Sequence, residues 1–184
     1  MQNFELCWLE SAQAQVVLLQ EMHLKANAKL PRLTACIAHS FYASADAVVR
    51  GVAVLFSRKF VRRINIVMRD PQMRWIIVTA ILAGKEVHFV SYYGPIEEDI
   101  KPMQKLYTQL SLFQGYFIIG GDFNTIRNTL WDTSRKNKAQ NKPKTSQLLA
   151  KLMLDLALVD VWRADHLYAK EFTLFQKVQY GIKN

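Results

Sequence analysis

The sequence predicts an α+β layered domain. Three observations carry that expectation: apolar runs of strand length outnumber helical patterns, the two kinds are interspersed, and no repeat, low-complexity tract or linker interrupts them. A chain of 184 residues is long enough for one sizeable core, so a single domain over 1–184 is expected. With 51% hydrophobic residues and only 7 glycines and 5 prolines, the composition is globular, neither disordered nor fibrous.

Taken in order, Phe4 to Ala14 spaces Phe4, Cys7, Trp8 and Ala12 as an amphipathic helix would. Val16 to Gln20 is a short buried run, read as a strand, and Glu21-Met22-His23 follows it directly. Between Lys25 and His39 the pattern is indecisive, although Pro31 sits where a helix could begin. Gly51 to Phe56 is a second apolar strand, closed by the basic cluster Arg58, Lys59, Arg62 and Arg63. Arg74 to Leu82 and Glu86 to Tyr93 have the spacing of a hairpin across Ala83-Gly84-Lys85, and Gly94-Pro95 breaks the second arm. Glu97 to Gln114 has helical periodicity, with Leu106, Leu110 and Phe113 on one face. Tyr116 to Ile119 is another buried strand, running into a Gly-Gly-Asp turn. Asn128 to Lys144 reads as a polar, basic loop, after which Ser146 is placed to cap a helix carrying Leu148, Leu149, Leu152 and Leu156. Leu158 to Trp162 completes a helix–strand unit, and Glu171 to Gln176 is the last expected strand.

Composition also narrows the function classes. No apolar run approaches the ~18 residues that span a bilayer, and Met1-Gln2-Asn3-Phe4-Glu5 lacks the basic, then apolar, start of a secretory signal. Cys7 and Cys36 cannot build a disulfide framework and have no zinc spacing, so both are expected as buried thiols in a reduced, intracellular protein. Twenty-four Lys and Arg against 15 Asp and Glu leave a formal charge of +9. Such a domain favours polyanions, nucleic acid first among them, because each phosphate contact releases condensed counterions. Basic domains without any such role are also common.

Two carboxylates stand out. Glu21 and Asp122 each follow an apolar strand, and if those strands share a sheet, both project from one edge. Two hard oxygen ligands suffice for one Mg²⁺, which keeps waters and substrate phosphate as its other ligands. Asn124 is close enough to bond a phosphate oxygen or orient an attacking water. The same Gly-Gly-Asp-Phe-Asn run is equally a good tight turn, and Glu21 equally an ordinary turn residue. His23 reads as a surface histidine or a base, and Asp165-His166 as an acid–histidine pair or a polar loop. Tyr92-Tyr93 offers core packing or a phenol reaching toward the site. The basic run through Arg135, Lys136, Lys138, Lys142 and Lys144 is a solvated loop or a phosphate contact.

Together these segments resemble the endonuclease/exonuclease/phosphatase superfamily, which includes exonuclease III and the abasic-site endonucleases, and most of all the endonuclease domain of LINE retrotransposons. Leu18 to His23 resembles the family's "LQETH", with Met22 in place of threonine. Arg50 to Leu55 resembles its "GGVAIL" strand and Val90 to Pro95 its "NVYAP" segment. Gly121-Asp122-Phe123-Asn124 matches "GDFN" outright. Leu158 to Arg163, followed by Phe172-Thr173, resembles "LVDVWR…YT". The resemblance runs from about Cys7 to Phe175, with the segments in family order.

The resemblance implies a four-layered α/β sandwich of two mixed sheets and Mg²⁺-dependent cleavage of DNA, with Mn²⁺ as the alternative ion. Glu21 would bind the metal, Tyr93 would sit beside the scissile phosphate, Asp122 would orient the attacking water and Asn124 would contact the phosphate. Thr173, Arg135 and Lys136 are the expected substrate contacts. The family's asparagine-bearing first strand and its closing "R-x-D" and "SDH" segments find no counterpart, and His166 follows Val-Asp-Val-Trp-Arg instead of closing the domain. The expectation is therefore a domain lacking its first and last strands, acting in the nucleus, with little or no hydrolysis by this chain alone. Its rivals are a non-catalytic nucleic-acid-binding remnant and a phosphoinositide or sphingolipid phosphatase of the same superfamily.

Overall fold

The computed structural model describes residues 13–22, 37–43, 51–60, 63–127 and 143–169. The expected helix over Phe4 to Ala14, both cysteines, His23, the basic run through Arg135 and Lys136, and the expected strand around Thr173 lie wholly or largely outside them. The chain divides into two compact units, Met1–Asn124 and Thr125–Asn184.

The first unit is built on two sheets. The smaller holds β1 (Val16–Gln20), β2 (Ile37–Ala43) and β3 (Val52–Ser57) in the order β1-β3-β2, all antiparallel. The larger holds β4 (Ile64–Arg69), β5 (Trp75–Leu82), β6 (Lys85–Tyr93) and β7 (Tyr116–Asp122) in that order. Central position explains the sequence pattern of β3, β5 and β6. Flanked on both edges and covered on both faces, they read as continuous apolar runs instead of alternating ones. The β5–β6 hairpin closes through Ala83 and Gly84, with Leu82 opposite Lys85. Both loop residues have positive φ, 47° and 78°, as a two-residue turn matched to strand twist requires. β6 and β7 pair in parallel, which demands a crossover, and α1 (Lys101–Leu110) supplies it. That helix buries Met103, Leu106 and Leu110.

Between the sheets lies a core of Val52, Val54, Phe56, Ile76, Val78, Ala80, Phe89 and Tyr93. Phe56 and Phe89 meet edge to face at 5.2 Å across it. The sheets come so close near β7 that a Cβ on Gly120 would lie 2.7 Å from Leu18 Cδ1. On the other face of the large sheet, His88 is fully buried against the rings of Phe113 and Phe117. Its Nε2 donates to the Gln114 carbonyl at 2.7 Å, which leaves Nδ1 to accept from the Thr79 hydroxyl at 2.8 Å in the neutral ring.

Several expectations need correction. The sequence pattern does not predict β2 or β4; both are edge strands with exposed residues and a register irregularity, so neither shows a clean apolar period. The helix expected over Glu97 to Gln114 is shorter, Lys101–Leu110, and Phe113 reaches His88 from beyond its end. The Gly-Gly-Asp run is not a turn: Gly120, Gly121 and Asp122 continue β7, paired with Ser91, Tyr92 and Tyr93. Most consequential, β1 and β7 do not share a sheet.

The second unit contains α2 (Lys144–Asp155) and α3 (Val161–Asp165). Pro143, not Ser146, occupies the cap position of α2, and no side chain caps it; Ser146 is buried within the first turn. The expected strand over Leu158 to Trp162 gives way to α3, because Asp160 accepts the Arg163 backbone N–H at 3.0 Å and so starts a helix. Asp160 also pairs with Arg127 at 2.6 Å. Trp162 stacks on His166, at 5.0 Å and 12°, with the Arg163 guanidinium 4.8 Å from its ring centre.

Candidate functional site

The site is assembled where the two sheets meet. At the end of β1, Gln20 Nε2 donates to Ser91 Oγ at 2.9 Å, and that hydroxyl donates to the Leu19 carbonyl at 2.9 Å. This pair staples β1 onto β6 across the sheet interface. One residue further, the Tyr93 hydroxyl donates to Glu21 Oε1. Strand alternation dictates the arrangement. Phe89, Ser91 and Tyr93 point between the sheets, while Tyr92 points to the opposite face, where it meets Phe123 at 5.2 Å. Of the two tyrosines, then, Tyr92 is core and Tyr93 carries the phenol of the site.

Asp122 ends β7 beside Tyr93 in register. Its carbonyl accepts the Gly94 N–H at 2.7 Å, and its Oδ1 accepts the Asn124 N–H at 3.0 Å in an Asx turn. Asn124 Nδ2 donates in turn to the Gly94 carbonyl at 3.0 Å. The β6 and β7 ends are thus locked together just past the sheet. Glu21 and Asn124 both adopt left-handed backbone, φ 53° and 46°. Asparagine tolerates that region, whereas a glutamate held there is strained by roughly 1 kcal/mol or more, a mark of sites that must aim a side chain. Met22 N–H to the Gly51 carbonyl, at 3.2 Å, holds the chain on the far side of Glu21.

Arg74, at the start of β5, completes the surround. Its guanidinium lies 5.8 Å from the Tyr93 ring centre and donates to the Tyr93 carbonyl at 3.3 Å, while the Arg74 carbonyl accepts the Tyr93 N–H at 2.7 Å. The hydrogen bond to Glu21, then burial, then the charges of Glu21 and Asp122 push the Tyr93 phenol above its ordinary pKa, with Arg74 opposing them. Tyr93 is therefore a protonated donor at neutral pH, with 7% of its surface exposed.

The structure thus brings Glu21, Tyr93, Asp122 and Asn124 to one corner, with the two carboxylates arriving from different sheets. One oxygen of each carboxylate is committed to a protein donor, and among the described residues the other makes no hydrogen bond. No group of three or more His, Cys, Asp and Glu gathers among the described residues. A pair of exposed carboxylates without nitrogen or sulfur ligands suits a hard, water-rich cation such as Mg²⁺ and not a closed zinc site.

Asp165 and His166 do not form an acid–histidine pair: His166 Nδ1 lies 3.1 Å from the Trp162 carbonyl, and its ring is stacked on that tryptophan. Sequence reasoning missed Gln20, Ser91 and Arg74. Ser91 carried a usable signal, a hydroxyl inside the otherwise apolar run Val90 to Tyr93, because a buried hydroxyl needs a partner. An arginine opening an apolar strand carried none. Among the described residues, no helix is long and apolar enough to cross a membrane.

Comparison with known proteins places this geometry. Residues 8–179 match the Endonuclease/Exonuclease/phosphatase family, and the chain belongs to it. Among solved structures it resembles an AP endonuclease from Archaeoglobus fulgidus, with TM-score 0.70 and 17% identity over 96% of this chain and 73% of that one. It also resembles a variant of the 3′ phosphatase NExo from Neisseria, bound there to a product DNA hairpin, with TM-score 0.67, 18% identity, and 98% and 76% of the two chains covered. A third likeness is to the endonuclease domain of TRAS1, a telomere-specific non-LTR retrotransposon, with TM-score 0.55 and 19% identity. There the match covers 84% of this chain and 64% of that one. At these identities the likenesses establish the α+β fold, two sheets and a few helices.

Proposed function

We propose that this member of the endonuclease/exonuclease/phosphatase family carries a site for Mg²⁺-dependent cleavage of DNA phosphodiester bonds, of the retrotransposon endonuclease kind, and that this chain alone hydrolyses DNA weakly. The observation that supports the reading best is the hydrogen bond from Tyr93 to Glu21 across the two sheets, with Asp122 beside it. Mg²⁺ bound by Glu21 would neutralise charge on a phosphate and acidify a bound water. Tyr93 stays protonated, and its one O–H, held by Glu21, fixes that carboxylate at the phosphate edge. Asp122, its Oδ1 fixed by the Asn124 amide, accepts from and orients the attacking water through its other oxygen. The Asn124 side chain, anchored on Gly94, sets the rim against which a phosphate oxygen rests.

Of the histidines in this unit two are described, and neither serves the site. His88 has both ring nitrogens engaged, and His39 lies on β2 opposite Phe56, toward the other end of the strands from Glu21. A positioned general acid or base is worth about 10²–10⁴ in rate, and neither ring is placed to be one.

Supercoiled plasmid with Mg²⁺ tests the reading, alongside isothermal titration of Mg²⁺ in the absence of DNA. Slow nicking is expected, lost in Glu21→Gln, Tyr93→Phe and Asp122→Asn, together with Mg²⁺ binding that Glu21→Gln abolishes. Nicking unaltered by Asp122→Asn would sink the site assignment. Faster release of phosphate from a phosphoinositide than nicking of plasmid would move the site to the phosphatase branch.

A further inference from the structure

The opposite end of the same two-sheet unit holds a second feature that the site does not use. A cavity of about 430 Å³ opens there, lined by Phe60, Arg63, Ile81, Leu82, Ala83 and Gly84. β5 runs eight residues from Trp75, beside the site, to Leu82, beside the cavity. At ~3.3 Å per residue the two lie about 23 Å apart, beyond the reach of any shared side chain.

The cavity is lined by one cation, Arg63, and one aromatic, Phe60, and Arg58 and Lys59 directly precede that aromatic in the chain. Arg58, Lys59 and Arg63 are exposed, and none makes a salt bridge among the described residues. Arg63 is fixed to the cavity wall through its carbonyl, which accepts the Ile81 N–H at 3.1 Å. The one acidic residue in the stretches 57–69 and 80–90 is Glu86. It pairs directly with Ile81 in the β5–β6 ladder, and its Cβ lies 3.4 Å from where Gly115 would carry a Cβ, on the His88 face of the sheet. Phe60 belongs both to the cavity wall and to the core, stacked on Phe56 at 6.3 Å and 8° and edge-on to Phe89 at 6.0 Å. Its ring is therefore held firmly in the cavity wall.

Unneutralised cations around a rigid aromatic are the chemistry of a single-stranded nucleic-acid platform, where phosphates meet charge and a base meets a ring. A duplex offers no base to such a cavity. We infer that this end of the sandwich is a second, metal-independent binding surface for a single-stranded nucleic-acid segment. One base seats against Phe60, and the backbone phosphates lie on Arg58, Lys59 and Arg63. The surface is separate from the carboxylate site and stands or falls without it.

Fluorescence anisotropy with a short labelled oligo(dT) in EDTA, over a salt series, tests this. Arg58→Glu/Lys59→Glu/Arg63→Glu should weaken binding at least about tenfold and flatten log K against log salt by about 2, at ~0.7 per single-strand contact. Arg58→Ala/Lys59→Ala should do so by a smaller amount in a protein whose thermal unfolding is unchanged. Phe60→Leu should weaken oligo(dT) but not an abasic oligomer of equal charge, and Asp122→Asn should leave both unaffected. Unchanged affinity and slope in the charge variants would overturn the inference, as would equal losses for duplex and single strand or for oligo(dT) and the abasic oligomer.

Discussion

Tyr92 and Tyr93 are neighbours with opposite chemistry, and the difference is set by a single step of strand alternation. The Tyr93 hydroxyl has a carboxylate to bond; the Tyr92 hydroxyl is buried with no partner among the described residues. Burial pushes Tyr92 to about 12, opposed by Arg74 and reinforced by Asp99 and Asp70. Because the folded pKa exceeds the unfolded value of 10.0, the native state holds its proton more tightly. That stabilisation is complete below pH 10 and is lost as pH climbs to about 12, about 3 kcal/mol for a shift of that size. Urea unfolding across this range should show the fall in wild type and a smaller one, from Tyr93 alone, in Tyr92→Phe. At neutral pH the same substitution removes an unpaired buried hydroxyl and sacrifices no hydrogen bond, so stability should hold or rise by up to about 1 kcal/mol. An alkaline profile identical to wild type would show that the burial of this phenol is not what resists ionisation. Residue pattern alone did not divide the adjacent pair, because register decides which side chain faces the second sheet; only the family resemblance named Tyr93.

At the scale of elements, the central strands and the edge strands β1 and β7 could be read directly, and the edge strands β2 and β4 could not. β3, β5 and β6 declare themselves as uninterrupted apolar runs because two sheets cover them. β2 carries His39 and Ser40 on exposed positions, and β4 follows a basic cluster, so neither offers a period of two. Leu158 to Trp162 misleads for a different reason: its apolar residues are largely exposed, and Asp160, in the middle of the apolar run, starts a helix. The Gly120-Gly121 pair reads as a turn because glycines favour one, yet here they are needed for close approach within β7. A Cβ on Gly121 would lie 1.9 Å from the Tyr92 carbonyl oxygen, with that residue at φ 158°. No rotation of a side chain relieves a backbone clash. Gly121→Ala should therefore force β7 off β6 and destabilise the protein by about 3 kcal/mol or more, read as a fall in the urea midpoint. A loss under about 1 kcal/mol would mean that the parallel pairing yields at this point.

The whole first unit sets the geometry that sequence alone could not supply. Motif order brought Glu21, Tyr93, Asp122 and Asn124 into view, but it gave no means to tell one sheet from two facing ones. The distinction matters physically. With the carboxylates on separate sheets, a cation on Glu21 with one of its waters on Asp122 would be a clamp across the sandwich and not a decoration of one edge. Without it, two exposed carboxylates stand near an interface stapled by Gln20, Ser91 and Tyr93. A cation that binds the folded state alone stabilises it by RT ln(1 + [L]/Kd), about 2.7 kcal/mol at a hundredfold excess over Kd. Amide exchange should locate that gain. Saturating Mg²⁺ should slow exchange at the ends of both β1 and β7, one from each sheet, while β2 and β4, on the opposite edges of those sheets, change little. EDTA should reverse the effect, and Glu21→Gln should abolish it in both strands at once, since removing either anchor releases the clamp. Protection confined to β7 and surviving Glu21→Gln would mean that Asp122 holds the ion unaided, and the two-sheet metal site would have to be abandoned.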